Sequence, residues 1–564
     1  VIAVGSLVSL LLRWMIPLNP IALDVGLFDG GLFERLAVSL TNDDWLGPFD
    51  QLTLVKGPAY PAFIAGTHRL GIPLQVGHQI TYLMAALALA ACVRLVTRNM
   101  IAATVVYLIV AFDPAHFSAT SAQVIRDEWY SGLSLLFLCL VFIAVFLAVK
   151  GTRLRWVVPS AVLAGGSGAA FWLCREEGVW LGAPIMLIAG GLPLAHLIGW
   201  YRRKDQPRPD RRHVGRFAGR MALTMVLVLV AFYAPISVVK RNNERSYGVA
   251  ITNDLAGGAF PRAYAAWSRV RGVPLTDYVP INRAQRMAVY PVSAAARELQ
   301  PRLEDPGNGW AQWGCVRMLG CGDFPGGAAV WAFRDAAHFS GNFRDEPTFQ
   351  AFFTRLEDEI NRACDTHQLT CARRLPASMQ PLDRTSLPAL VKASTHWLRK
   401  LATDPTFYAL YGPTEVNQVP NDQRATIAKG MSGGPSSQAA ADAAAQRFLG
   451  RAWIYRGLGH VYRLLFQVLL VMAAVGFFLS LLWRKDRARN VAFWVLSASL
   501  IAGVAVRLVL VAVIETSQFV GDDARFHFAT RTLYLALAVI GAVNLVEVVL
   551  AHRRRLPTNK TLDV

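Results

Sequence analysis

Two recognition elements of familiar soluble enzymes are missing from this chain. It has no Gly-x-x-x-x-Gly-Lys-Ser/Thr loop to cradle a nucleotide phosphate and no His-Glu-x-x-His to hold zinc. ATP-driven chemistry and use of cytoplasmic nucleotide sugars are disfavoured accordingly. Charge is sparse, at 17% of residues, and cysteines number only seven. No internal repeat is visible either, which weighs against transporters built from repeated halves.

Apolar residues, by contrast, make up 54% of the 564 positions, and mean hydropathy is +0.34. They fall in runs long enough to cross a bilayer, which no single soluble core requires. About ten runs read as spans: Val1–Ile16, Pro73–Val93, Met100–Phe112, Tyr130–Val149, Trp156–Cys174, Val179–Tyr201, Phe217–Val239, Leu464–Trp483, Val491–Ile514 and Phe526–Val549. No small-residue cleavage site follows Ile16, so the first run reads as a retained anchor.

With a cytoplasmic N-terminus, every second connection is cytoplasmic, and those connections are the basic ones. They hold Arg94 and Arg98; Lys150, Arg153 and Arg155; the cluster YRRKDQPRPDRRHVGR; the segment WRKDRAR; and the tail HRRRLPTNK. Together they supply most of the formal charge of +19, the bias that cytoplasmic loops carry. No nucleic-acid partner is needed to explain it, because such a face would interleave aromatics with cations on a soluble surface. Membrane lipids are the expected surroundings. Compact loops and the lack of organelle signals fit a bacterial inner membrane, with both termini cytoplasmic.

The expected fold is an α-helical multi-pass membrane protein with a mainly α extracytoplasmic domain. Residues 1–239 form the first membrane region, with a first outer loop at 17–72; residues 240–455 form the outer, periplasmic domain; residues 456–564 hold the last spans and the tail. Four cysteines lie in the outer domain, Cys315 with Cys321 and Cys364 with Cys371, and the compartment favours two local disulfides. Neither pair has the spacing of a zinc knuckle. Phe349, Phe352, Phe353, Leu356 and Ile360 repeat on one helical face, and LPALVKASTHWLRKLA reads likewise as a helix. Ser432–Gln446, rich in Gly, Ser and Ala, reads as a mobile loop or linker.

Ionisable groups beside a span are costly, so the outer connections that carry both signs of charge are the informative ones. Four do: the opening loop with Asp29, Glu34, Asp43, Asp44 and Lys56; the segment with Arg126, Asp127 and Glu128; Arg175, Glu176 and Glu177; and a last loop with Glu515, Asp522, Asp523, Arg525 and Arg531. All four face the same side of the bilayer. Asp29 starts DGGLFERLAVSL, whose Leu32, Phe33, Leu36, Ala37 and Leu40 form the stripe of a helix lying on the membrane face. There it could cap that helix or act as a base. Asp24 and the pair Asp43-Asp44 are its rivals, the pair also reading as a solvated turn. Lys56, before Gly57-Pro58, is either a cation at headgroup level or a snorkelling side chain. Arg507, inside the ninth span, either binds an anion or pairs with an acid.

An apolar run feeding FDGGLFERLA, then Lys56-Gly57-Pro58-Ala59-Tyr60-Pro61, then Arg175-Glu176-Glu177-Gly178, resembles the GT-C glycosyltransferases. Among them it is similar to protein O-mannosyltransferases and lipid A aminoarabinose transferases. The resemblance implies an integral membrane enzyme that moves a sugar from a polyprenyl-phosphate donor to a hydroxyl on a glycan, lipid or protein acceptor, with inversion, on the periplasmic face. It implies Asp29 as base. It implies a substrate site drawn from Lys56, Arg126, Asp127, Glu128, Arg175, Glu177, Arg507 and Arg525, with Lys56 and Arg175 on the donor phosphate. Glu176 stands where relatives often have proline, and a single proline follows Gly57 where two are commoner. No cofactor is required by the sequence, although clustered acids could hold a divalent metal. A flippase of lipid-linked glycans and an O-antigen polymerase or ligase remain as alternatives.

Overall fold

The computed structural model describes residues 1–18, 29–118, 123–202, 210–274, 276, 278–312, 322–374, 386–403, 438–482, 487–517 and 524–553. Among them, nine helical segments are long and apolar enough to cross a membrane. The helices of the first region are α1 (Ile2–Trp14), α2 (Asp29–Thr41), α3 (Ala59–Arg69), α4 (Leu74–Thr97), α5 (Met100–Ala111), α6 (Asp127–Val149), α7 (Leu154–Cys174), α8 (Gly182–Arg202) and α9 (Arg211–Tyr247). The run at Val1–Ile16 folds as a helix of 13 residues, short of the roughly 20 that a span needs. It docks against the bundle, where Ser9 Oγ donates to the Ala111 carbonyl at 2.9 Å and Arg13 meets Glu128 at 2.7 Å.

Small residues let the long helices approach closely. A Cβ added at Gly165 of α7 would stand 2.3 Å from the Val228 carbonyl of α9, a contact no larger residue permits. Helix α9 runs on to Tyr247, so the boundary drawn at residue 239 falls inside a continuous helix that carries the chain from the membrane region into the outer domain.

The domain expected outside the cytoplasm, called the outer domain for that expectation, packs α10 (Ala259–Ser268), α11 (Arg283–Val289), α12 (Ala294–Leu303), α13 (Gly326–Phe339) and α14 (Glu346–Asp365) around Trp267, Phe333, Phe349 and Phe353. The expected face of α14 is the buried one, with Phe349, Phe352, Phe353, Leu356 and Ile360 inside. Strand β1 (Val270–Arg271) pairs antiparallel with β2 (Thr370–Cys371), and the Cys364–Cys371 disulfide ties β2 to the end of α14. Cys315 and Cys321 lie outside the described residues. Helix α15 (Ser386–Thr403) confirms the second amphipathic reading, but it leaves the domain core and packs on the last spans, where Trp397 Nε1 donates to Glu515 at 2.6 Å. The expected linker at Ser432–Gln446 is corrected in part: α16 covers Gln438–Leu449, because its alanines favour helix once Phe448 is buried against Ile16 and Tyr455. The chain closes with α17 (Ala452–Leu482), α18 (Arg487–Ser517) and α19 (Phe528–Arg553).

The first outer loop joins the two layers. Trp45 Nε1 donates to Asn243 and the Tyr247 hydroxyl to the Gly47 carbonyl, both at 2.7 Å. Arg334, 1% exposed, donates to the Gln51 carbonyl at 2.7 Å and meets Asp254 at 2.9 Å, while Asp254 N–H donates to the Leu54 carbonyl at 2.8 Å. The loop is therefore the floor on which the outer domain stands.

Candidate functional site

Asp29 opens α2, whose Leu32, Phe33, Leu36 and Ala37 are buried while Leu40 is half-buried. The stripe faces protein: Phe33 meets Tyr60 of α3 edge to face at 5.0 Å, so α2 is anchored in the bundle rather than laid on a membrane face. Among the described residues, no backbone N–H of α2 donates to the Asp29 carboxylate. That carboxylate lies 3.5 Å from Lys56 Nζ. Asp43 is instead in the left-handed region (φ 58°), exposed, and paired with Arg69 at 2.7 Å, which is the solvated-turn alternative. Asp24 lies outside the described residues.

Gly57 explains how Lys56 reaches its place. A Cβ there would stand 2.0 Å from the carbonyl oxygen of Leu173, at the end of α7. Only glycine lets this loop press against the helix end, and the residues just beyond that end are Arg175, Glu176 and Glu177. Pro58, at the N-cap of α3, then stops the loop and starts a helix.

Around this junction cations and acids alternate. Arg126 grips Glu176 with two hydrogen bonds of 2.9 and 2.8 Å and donates a third, at 2.7 Å, to the Cys174 carbonyl. Arg175 pairs with Asp127 and, at 3.0 Å, with Glu177; Glu177 also meets Arg507 at 2.8 Å. Arg507, 1% exposed, thus pairs with an acid, and its guanidinium lies near the rings of Tyr130 and Trp180. Arg175 lies near Tyr130 and Phe526.

The local field keeps these groups ionised. Burial works to raise the Asp29 carboxyl, but Lys56, then Arg126 and Arg175, outweigh it and hold it below its ordinary value. Burial opposes ionisation of Glu177 too, and Arg175 and Arg507 overcome it, taking it down to about 2. Glu176 is lowered by Arg126 against the same penalty. The two guanidiniums move upward: the burial that disfavours their charge is beaten by Glu176 at Arg126 and by Glu177 with Asp127 at Arg175. Because the Asp29 side chain is 38% exposed, solvent screens its attraction to Lys56.

Lys56, Arg126, Arg175, Glu176 and Glu177 line one side of a cavity of about 850 Å³ between the membrane helices and the outer domain. Trp331 and Phe260 of the outer domain also line it, and Lys56 Nζ stands 5.6 Å from the Trp331 ring centre. The volume suits a sugar-sized ligand with part of its carrier.

Two expected site residues fall elsewhere. Glu128 is not among the lining residues; it points into the bundle, 2.7 Å from Arg13, 3.3 Å from His78 and 3.2 Å from His116. One helical step separates it from Asp127, and that step turns the two side chains to different neighbours. Arg525 is exposed and outside the lining set. Asp29, Asp127 and Arg507 are likewise not lining residues, but each contacts an oppositely charged residue that is, Lys56, Arg175 and Glu177 respectively. Among the described residues no three His, Cys, Asp or Glu side chains gather as a cation site. Sequence reasoning missed Trp331 and the arginines of the outer-domain wall, Arg269, Arg373 and Arg374, which no period or motif marks.

No protein-family model matches the chain, and no curated protein does. Solved structures do. The likeness is to ArnT from Cupriavidus metallidurans. Its apo structure is 13% identical and its structure bound to undecaprenyl phosphate 14%, each at a TM-score of 0.30, covering 97% of this chain and 76% of that chain. At so loose a superposition no residue role passes from one protein to the other.

Proposed function

We propose that this protein is an integral membrane glycosyltransferase of GT-C type that moves a sugar from a polyprenyl-phosphate donor to an acceptor hydroxyl, outside the cytoplasm. The observation that carries this reading is the Asp29–Lys56 pair, 3.5 Å apart, with Lys56 lining a cavity beside Arg126 and Arg175 at the ends of the spans. There a lipid's phosphate can meet cations while its tail stays in the bilayer.

In the reaction, Asp29 accepts the proton of the acceptor hydroxyl. The oxygen forms a bond to the anomeric carbon from the face opposite the phosphate, and the carbon–oxygen bond to phosphate breaks. The electron pair leaves on the phosphate oxygen, where Lys56 and the nearby guanidiniums stabilise it. The configuration inverts, and polyprenyl phosphate departs. Arg126 and Arg175 are matched by acids, so the phosphate exchanges places with a carboxylate rather than filling an empty charge. As it takes Lys56, it loosens that cation's hold on Asp29 and makes the carboxylate a stronger base.

The flippase reading would set ionisable groups along a path through the bilayer midplane. The buried pairs Arg13–Glu128 and Arg531–Asp113 instead sit within about two turns of helix ends that share one rim. The test is Asp29→Asn in lipid nanodiscs with a purified polyprenyl-phosphate sugar. Transfer should vanish while donor binding persists; near-normal turnover would remove Asp29 from the mechanism.

A further inference from the structure

Helix α13 touches the first outer loop at two points. Arg334 donates to the Gln51 carbonyl, and Trp331, three residues earlier and so on nearly the same face of the helix, has its ring centre 5.6 Å from Lys56 Nζ. Trp331 stands apart from its helix neighbours. Ala329, Ala332 and Phe333 belong to the core of the outer domain itself, whereas Trp331 packs against the apolar cluster that contains Leu54 and Val55, the two loop residues just before Lys56. Trp310 stacks on it, with ring centres 6.4 Å apart and planes 13° from parallel. A large ring is thus turned out of its own domain and held against a lysine that is 9% exposed.

The Lys56 ammonium is therefore pulled two ways. Asp29 attracts it as an ion pair at 3.5 Å, longer than the roughly 2.8 Å of a tight charge-assisted hydrogen bond. The electron-rich face of the Trp331 ring attracts it as well. Glu176 also feels this cation, but two hydrogen bonds from Arg126 already hold that carboxylate. The two pulls differ in what they occupy. A closed pair with Asp29 would engage the lysine's donors with an oxygen, while a ring attracts the charge and leaves the N–H groups able to reach a phosphate.

We propose that Trp331 is a positioning residue for donor binding: its ring holds the Lys56 ammonium short of a closed pair with Asp29, so that the donor's phosphate displaces a loose contact rather than a tight one. The inference rests on the transferase reading. Without the ring's pull, Lys56 closes on Asp29, which withdraws the cation from the phosphate and weakens the carboxylate as a base in the same movement. Because Trp331 is carried by α13, whose Arg334 clasps the same loop, the lysine is set only while the outer domain is seated on that loop.

The test is titration of the full chain in nanodiscs with polyprenyl phosphate, Trp331 alone being replaced, by nonsense suppression, with tryptophans that carry successively more ring fluorines. Fluorine nearly preserves the ring's shape and draws electron density from its face, so packing stays and only the attraction for the cation weakens. Affinity should fall stepwise along the series, by about tenfold in all. In Lys56→Met the same series should be flat, because no cation remains for the ring to hold. Trp331→Phe, which keeps an aromatic face, should bind the lipid more tightly than Trp331→Leu. A flat series in the otherwise wild-type chain, an equal fall in Lys56→Met, or Trp331→Leu binding as well as Trp331→Phe would each overturn the role of Trp331 and leave the transferase reading standing. A wild type that does not bind polyprenyl phosphate at all would sink the transferase reading, and this role with it.

Discussion

Among the described glycines whose surroundings are known, Gly57→Ala should be the most damaging substitution. The added Cβ would begin 2.0 Å from the Leu173 carbonyl oxygen, whereas ordinary contact starts at 3.4 Å, so something must move by roughly 1.4 Å. The helix end cannot yield easily: the next carbonyl, of Cys174, is held by Arg126, and Gly178 packs on Trp172. The loop moves instead, and Lys56 goes with it. Overpacking of this kind costs about 1–3 kcal/mol, and a misplacement near 1 Å at a reacting centre costs on the order of 100-fold in rate. The assay pairs thermal unfolding with polyprenyl-phosphate binding and donor turnover in nanodiscs. Gly66→Ala is the control, since nothing lies within 4 Å of its added Cβ inside α3 and alanine favours the helix. If Gly57→Ala is as stable and as active as Gly66→Ala, the argument that this glycine sets Lys56 against the α7 end is wrong.

The acid limb of the transfer rate should lie below the ordinary carboxylate value of 3.8, since Asp29 is held down by its cations. Lys56→Met removes the largest of these and leaves burial to act, so the limb should move to higher pH; a rate–pH profile with no such movement counts against Asp29 as the titrating base. By the same sign, the stability that Asp29 contributes is present above its unfolded value and fades as pH falls through the depressed folded one. Glu346 runs the other way. Burial first, then the neighbouring Asp254, raises it to about 9, so the outer domain should lose stability as pH climbs from 4.5 toward that value, and Glu346→Gln should flatten the slope in a denaturation series; a slope unchanged by the substitution refutes the assignment. Arg13→Met leaves Glu128 buried without its cation and should cost about 3–5 kcal/mol. Adding Glu128→Gln should return part of that, and an additive double-mutant cycle would show that the pair, 2.7 Å apart and nearly unexposed, does not act as a unit.

The order of apolar runs and basic connections determined the multi-pass helical architecture by itself, because a bilayer imposes one length and one charge bias on any chain that crosses it. The face of α14 was equally legible, since a helix has one period and burial selects one stripe. What a span's sequence does not contain is its neighbours. Asp127 and Glu128 are adjacent in the chain with the same charge, yet one meets Arg175 near the cavity and the other is locked among Arg13, His78 and His116. Nothing local distinguishes them, because the difference lies in which helices pack on either side of α6. Arg507 read as a lone intramembrane cation until Glu177, far away in the chain, proved to be its partner. Gly57 read as part of a turn, and only the position of the Leu173 carbonyl showed why no side chain fits there. The arginines that line the cavity needed the tertiary structure altogether, since residues 269, 326 and 373 share a surface only once the outer domain has folded.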